Sequence, residues 1–438
     1  MTTDATQASS RIRIDTLARL DSEQRRALLR RAGDVQDERL PAVRAIVKNV
    51  RERGDAALRE YTARFDGATI EQFEVQPEEY EDALRVVPPG VLDALGVAID
   101  NIQRFHESHL QPQPVVETSP GVQVWREWRP IERVGLYAPG GGAAYPSSVL
   151  MNVVPAKVAG CSEIVLCSPP DRAGRVPAVT LAAASLAGVA RTFKLGGAQA
   201  VAAMAYGAGP VPRVQKVFGA GSPWVTAAKL VVSADVEIDM PAGPSEILII
   251  ADETADPAML AADLLAQSEH GPDSAAVLLT PSVELADRTA EEAALQLALL
   301  PLRGRAGEAL RSYGRILLTE SLEDAAAFAN EYAPEHLEIV VEASDELLKL
   351  VVNAGSIFLG GYSPVASGDY ATGANHVIPT GGRAATRGPL SVEYFGKWIQ
   401  VQRLSREGLL GLRETVVALA EAEGLAAHAR SIDVRFER

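Results

Sequence analysis

The stretch DLLAQSEHGPDS at 263–274 places Gln267 and His270 three residues apart, on one face of a helix entered near Pro257. Gly271 and Pro272 stop that helix directly after the histidine. The imidazole therefore stands at a helix end beside a break, where it can hold a metal or a substrate, although a plain helix-end contact would use it equally well. Three later stretches add candidates: APEH at 333–336, SGDYATGANH at 367–376 and AEGLAAH at 422–428. Of six histidines, four follow residue 260. Zinc takes imidazole and carboxylate ligands around an open position, and His270, Asp369 and His428 offer such a set from separate segments, with His376 a competing ligand. Glu335 and His336 are adjacent just after Pro334. Neighbours on an extended strand point to opposite faces, so both reach one cleft only if the backbone bends there. A carboxylate and an imidazole in one site form a general-base pair, one for an alcohol proton and one for a water. The alternative is a surface glutamate next to a helix-end histidine.

Three glycine-rich turns suggest a second kind of site. VGLYAPGGGAAYPSS runs through Pro139 and glycines 140–142, and LGGAQAVAAMAYG and VFGAGSPWV repeat the strand, turn, helix order. Backbone N–H groups at helix starts suit a dinucleotide's phosphates, but none of the turns is GxGxxG, so tight turns alone explain them equally well. Cys161 and Cys167 bracket the strand-like CSEIVLC, too far apart along it for a disulfide, and read as small buried hydrophobes. His106 and His109 form HxxH on a charged helix without a third ligand, which reads as a solvated face.

These residues need a scaffold of about two or three domains for 438 residues. The net charge of -15 leaves no footprint for nucleic acid. No apolar run reaches a membrane span, and the N-terminus has neither a basic nor an apolar leader region, so a cytoplasmic location is expected. Residues 1 to about 110 carry a helical period. From about 120 short strands alternate with helices, which predicts parallel strands, crossover helices and binding loops at strand C-termini. A second alternating unit follows from 229 to about 360, with Ser245 in PAGPSE at the mouth of a buried strand, and after Gly388 the pattern reads as helical and polar.

Taken together, VKNVRERGDAALREYTARFDG, VGLYAPGG, YPSSVLMN, LGGAQAVAAMAYG, DMPAGPSE, LLAQSEHGPDS, YAPEHLEI, SGDYATGANHVIP and AEAEGLAAH resemble the histidinol dehydrogenase family over nearly the whole chain. The resemblance implies zinc-dependent oxidation of L-histidinol to L-histidine through the aldehyde, with two NAD+ in succession, at the end of histidine biosynthesis. It implies a zinc set of Gln267, His270, Asp369 and His428; from chemistry alone Asp263 and Glu269 look better than a neutral amide. His336 resembles the base for the alcohol proton and Glu335 the base for water. Ser245 and Glu423 match substrate contacts alongside Gln267, His270, His336, Asp369 and His428, and His428 and Glu423 would reach the site from the partner subunit of an obligatory homodimer. Tyr137 and Gln199 match NAD contacts. A third such contact falls in GAGS at 219–222, where Ser222 stands in place of the family's asparagine; a hydroxyl makes fewer hydrogen bonds than an amide, so rearranged or weaker cofactor binding is expected.

The implied fold is α/β: two Rossmann-like domains with parallel sheets plus a helical tail formed by both chain ends. Residues 1–34 would be an N-terminal tail segment, 35–134 with 242–388 the zinc and substrate domain, 135–241 the NAD domain, and 389–438 the tail reaching the partner. The nearest rival is a relative acting on another small alcohol, such as a sulfonated diol, against which the anionic Glu423 argues. A zinc hydrolase using Glu335 on a metal-bound water would leave the glycine turns idle, and a non-catalytic binding protein would leave the filled catalytic positions unexplained.

Overall fold

The computed structural model describes residues 11–31, 38–140, 144–241, 243–301 and 303–437; Gly141 and Gly142 of the first glycine turn lie outside them. Among these residues no helix is long and apolar enough to cross a membrane. The first part of the chain runs β1 (Arg13–Thr16), α1 (Ser22–Arg30), α2 (Leu40–Arg53), α3 (Asp55–Tyr61), α4 (Pro77–Val86) and α5 (Pro89–Glu107), then β2 (Val116–Ser119) and β3 (Val122–Pro130). The first alternating unit is β4 (Arg133–Tyr137), α6 (Pro146–Ala159), β5 (Glu163–Ser168), α7 (Ala178–Leu186), β6 (Arg191–Lys194), α8 (Gly197–Tyr206), β7 (Lys216–Phe218), α9 (Pro223–Val232) and β8 (Glu237–Ile238). The second comprises β9 (Glu246–Ala251), α10 (Pro257–Ser268), β10 (Ala275–Thr280), α11 (Val283–Leu299), α12 (Arg303–Tyr313), β11 (Gly314–Leu318), α13 (Leu322–Tyr332), β12 (His336–Val340), α14 (Ser344–Leu348), β13 (Ser356–Leu359) and α15 (Val365–Tyr370). The chain closes with β14 (Gly396–Leu404), α16 (Arg406–Ala422) and α17 (Ala426–Asp433).

Two parallel sheets carry the fold, one in the order β6-β5-β4-β7-β8 and one in the order β1-β11-β10-β9-β12-β13. Both wind outward from a central strand and return past it, which is the doubly wound plan. Helices on both faces bury the central strands β9 and β10 completely. In β9, Ile247 and Ile249 enter one core while Leu248 and Ile250 enter the other, as the two-residue period of a strand requires.

Several sequence expectations change here. Residues 13–16 are an edge strand paired to β11, within a segment read as helical. Residues 396–404 are also a strand, not helix: β14 pairs antiparallel with β3, which pairs with β2, in a small third sheet. Both were hidden because their residues are mostly exposed or half-buried and carry charge. Residues of α2 and α3 share a core with β5, α8 and α9, and α5 shares one with β4 and α6. Residues 35–134, expected beside 242–388, thus supply helices to the five-stranded sheet. A helical period shows that a face is buried without showing against which sheet. His106 is fully buried, not on a solvated face, and burial pushes its pKa down to about 4. Cys167 is buried in β5 and Cys161 precedes that strand; both are free thiols.

Candidate active site

The first site lies at the amino-terminal edge of the six-stranded sheet, where β9 and β12 begin. Ala333 caps α13 in the left-handed conformation, with φ at +46°, and this turn, just before Pro334, redirects the chain into β12. Glu335 and His336 consequently face one place, with Glu335 Oε2 3.5 Å from His336 Nδ1. Gly355 lets β13 come close: its N–H donates to the Pro334 carbonyl, and a Cβ there would press on the Glu335 carbonyl.

The start of β9 organises both side chains. Glu335 Oε2 accepts the Glu246 N–H at 2.7 Å, and His336 Nδ1 lies 2.9 Å from the Glu246 carbonyl. A carbonyl can only accept, so Nδ1 carries the proton and Nε2 holds the free lone pair. Nε2 is buried without a hydrogen-bond partner, 4.0 Å from Asp369 Oδ1. Burial is the main cause that pushes the His336 pKa down to about 4. The imidazole is therefore a neutral base at ordinary pH. Glu335 moves the other way: burial first, and then the Glu246 carboxylate, raise it well above the usual carboxylate range. Glu246 itself accepts from the Gly381 N–H and faces Arg31 Nε at 3.3 Å. Arg31 lies over the Tyr332 ring, 3.6 Å from its centroid. Sequence reasoning missed Glu246, whose signal was a lone carboxylate opening the apolar strand EILIIA.

The remaining candidates split. Ser245 stands at the start of β9, its carbonyl accepting from Ala275. Gln267, near the end of α10, is 2% exposed, and neither Oε1 nor Nε2 has a partner among the described residues. His270, exposed just past α10, is close enough to His336 and His376 to depress both. His376 Nδ1 donates to the Asp369 carbonyl at 3.1 Å, so it stays a neighbour of the same group. Glu423 and His428 are exposed around the start of α17, and no contact joins them to these residues within the described chain. Among the described residues no three His, Cys, Asp or Glu side chains come together as a metal site.

Tyr137, Gln199 and Ser222 meet elsewhere, in a cavity of about 660 Å³ that Asp66, Pro139, Pro169, Arg172 and Trp224 also line. It opens at the carboxyl ends of β4 and β7, the switch point of the five-stranded sheet. The Tyr137 hydroxyl accepts the Gly197 N–H at 3.1 Å, and Gln199 Nε2 donates to Asp66 at 3.4 Å. Burial raises Asp66 to about 6. The turn before Ser222 is clamped from behind: Gly219 N–H donates to Asp239 at 2.9 Å, Lys229 Nζ donates to the Gly219 carbonyl at 3.0 Å, and Lys229 and Asp239 form a buried ion pair. Gly219 has φ at +115° and no room for a Cβ against the Tyr137 carbonyl. Lys229→Met leaves Asp239 charged and unpaired, and is expected to lower unfolding stability by about 3–5 kcal/mol, read by urea denaturation. An unchanged midpoint would mean that the pair does not hold the turn.

The family model described as histidinol dehydrogenase matches residues 29–436. A histidinol dehydrogenase of Methanosarcina mazei is 48% identical over 420 residues, covering 95% of this chain and 96% of its own. That of Vibrio parahaemolyticus is 48% identical over 424 residues, covering 96% and 97%. The crystal structure of histidinol dehydrogenase from Elizabethkingia anophelis superposes with a TM-score of 0.94 at 38% identity, covering 97% of this chain and 98% of that one.

Proposed function

The chain belongs to the histidinol dehydrogenase family, and from that premise we propose that it oxidises L-histidinol to L-histidine through the aldehyde, using two NAD+ and one zinc ion per subunit. The observation that carries this reading is His336, whose Nδ1 proton is committed to the Glu246 carbonyl with Glu335 beside it, and whose buried Nε2 is bare near Asp369.

The residues divide the work. His336 Nε2 takes the alcohol proton as the carbon gives up its first hydride. Glu335, once ionised, takes a proton from the water that adds to the aldehyde, and the resulting hydrate gives up the second hydride to leave the carboxylate. In sum, the alcohol, one water and two NAD+ become the carboxylate, two NADH and three protons. NAD+, when bound, would supply the hydride acceptor, and Tyr137, Gln199 and Ser222 in the 660 Å³ cavity would hold it.

The donor set suits zinc at one telling point. A buried amide with both polar atoms unpartnered is costly, and a cation taking the Gln267 oxygen would offset that cost. Gln267, His270 and Asp369 would hold the ion together with His428 of a second copy, while Glu423 of that copy and Ser245 would contact substrate. When bound, the ion would act as a Lewis acid toward the lone pairs of the substrate's amine and imidazole and so anchor it. Holding substrate still in this way converts binding into rate. The homodimer is part of this proposal, because Glu423 and His428 do not reach their own chain's site.

The reading is tested by steady-state rates with L-histidinol against a small sulfonated diol. A kcat/KM about 10²-fold or more in favour of L-histidinol is expected, since an acidic contact rejects a sulfonate. The opposite preference would assign the chain to a relative acting on another alcohol.

A further inference from the structure

One pair of carboxyl groups, Glu338 buried and Asp263 half-buried, ties together three elements of the first site, and the reaction above does not use it. Glu338 lies on β12 two residues after His336 and is 1% exposed. Its Oε1 accepts the Val365 N–H at 3.0 Å, at the first residue of the helix that carries Asp369. Its Oε2 is buried with no N–H or O–H to meet among the described residues. The group it does meet is the carboxyl of Asp263, on α10 one turn before Gln267. Two carboxylates in contact, one buried and one half-buried, resist ionising together. Burial is the first cause raising both, Asp263 to about 6 and Glu338 to about 8, with the Asp263 charge adding to the rise at Glu338. One proton held between them turns mutual repulsion into a hydrogen bond. An apolar pair of equal volume would fill the space, but it would not accept the Val365 N–H or fix one helix against the other by direction.

We infer that Asp263 and Glu338 form a single-proton latch that sets the spacing of α10, β12 and α15, and so positions Gln267, His270 and Asp369 around the zinc ion. Both are positioning residues, since neither touches the reacting atoms. The role rests on the zinc reading above. It also explains why Asp263, attractive as a ligand from sequence, is not needed as one: its carboxyl is engaged with Glu338.

The test is zinc affinity of the full-length protein, stripped and then titrated against a chromophoric chelator, with infrared detection of protonated carboxyl groups alongside. Glu338→Gln keeps an acceptor for Val365 and a donor for ionised Asp263, so its affinity should stay within about threefold of wild type. The protonated-carboxyl band of wild type at neutral pH should lose the intensity of one group in that variant, while any contribution of Glu335 stays. Glu338→Leu should weaken zinc about 10–100-fold, the usual effect of losing a residue that orients metal ligands. Should Glu338→Leu not fold, Asp263→Ala carries the same expectation. A folded Glu338→Leu or Asp263→Ala protein with unchanged zinc affinity would overturn the latch, as would a Glu338→Gln loss as large as that of the apolar variant. Wild type without zinc affinity would overturn the zinc reading and this role with it, whereas normal wild-type binding with indifferent variants removes the latch alone.

Discussion

Glu335→Gln is expected to slow oxidation of the aldehyde by about 10²–10⁴-fold, the usual worth of a positioned base, while slowing alcohol oxidation much less. The separation follows from the two tasks. In the proposed mechanism the alcohol proton goes to His336, whose free Nε2 is set by the hydrogen bond of Nδ1 to the Glu246 carbonyl; that bond should survive the substitution. The same proposal gives the activation of water to Glu335, and an amide cannot take a proton. The pH dependence carries the same signature. A carboxyl whose pKa is raised by burial and by Glu246 is protonated at low pH and ionises only above its raised value, so aldehyde oxidation in wild type should rise with pH on the acid side. His336, depressed to about 4, is already neutral across that range and adds no limb of its own. Rapid-mixing rates with alcohol and with aldehyde as separate substrates measure both steps. Equal losses in the two steps would end the assignment of Glu335 to water.

Removal of zinc should lower turnover by about 10²–10³-fold, in line with the several kcal/mol a metal site contributes, and His428→Asn should do the same with loss of bound metal. The second part depends on the dimer. His428 is exposed on its own chain and has no contact with Gln267, Asp369 or His336 there, so its ligand role requires a second copy. Subunit mixing makes this measurable. A dimer of one Glu335→Gln subunit and one His428→Asn subunit contains one site with both defects and one with neither. Two inactive parents should therefore regain activity on mixing. No recovery in a verified mixed dimer, or full activity and metal in His428→Asn alone, would show that the site is not shared.

Much of this arrangement was legible because chemistry concentrates in short motifs. The adjacency of Glu335 and His336 after Pro334 pointed to a bent backbone, and the bend is there, made by Ala333 in the left-handed conformation. The alternation of strands and helices gave both parallel sheets. It also favoured binding loops at strand carboxyl ends, and the cavity lined by Tyr137, Gln199 and Ser222 lies at such ends. The Glu335 and His336 site instead uses the amino-terminal ends of β9 and β12, since α10 runs back across the sheet and delivers Gln267 to that edge. Partners that are far apart in sequence could not be read. Nothing in a lone Glu246 says that its N–H and carbonyl will orient two side chains about 90 residues away. Nothing in Asp263 announces Glu338 either. The short, half-exposed strands β1 and β14 escaped notice for a related reason: their pairing depends on distant partners, while their local pattern is polar.

The most direct measurement is the amount of NADH formed when L-histidinol is limiting and NAD+ is in excess, with metal-loaded protein and with the same protein after chelation. The account predicts two NADH per L-histidinol, with L-histidine as product, lost on chelation and restored by zinc. One NADH per L-histidinol with aldehyde accumulating, or no NADH from folded and metal-loaded protein, would contradict it.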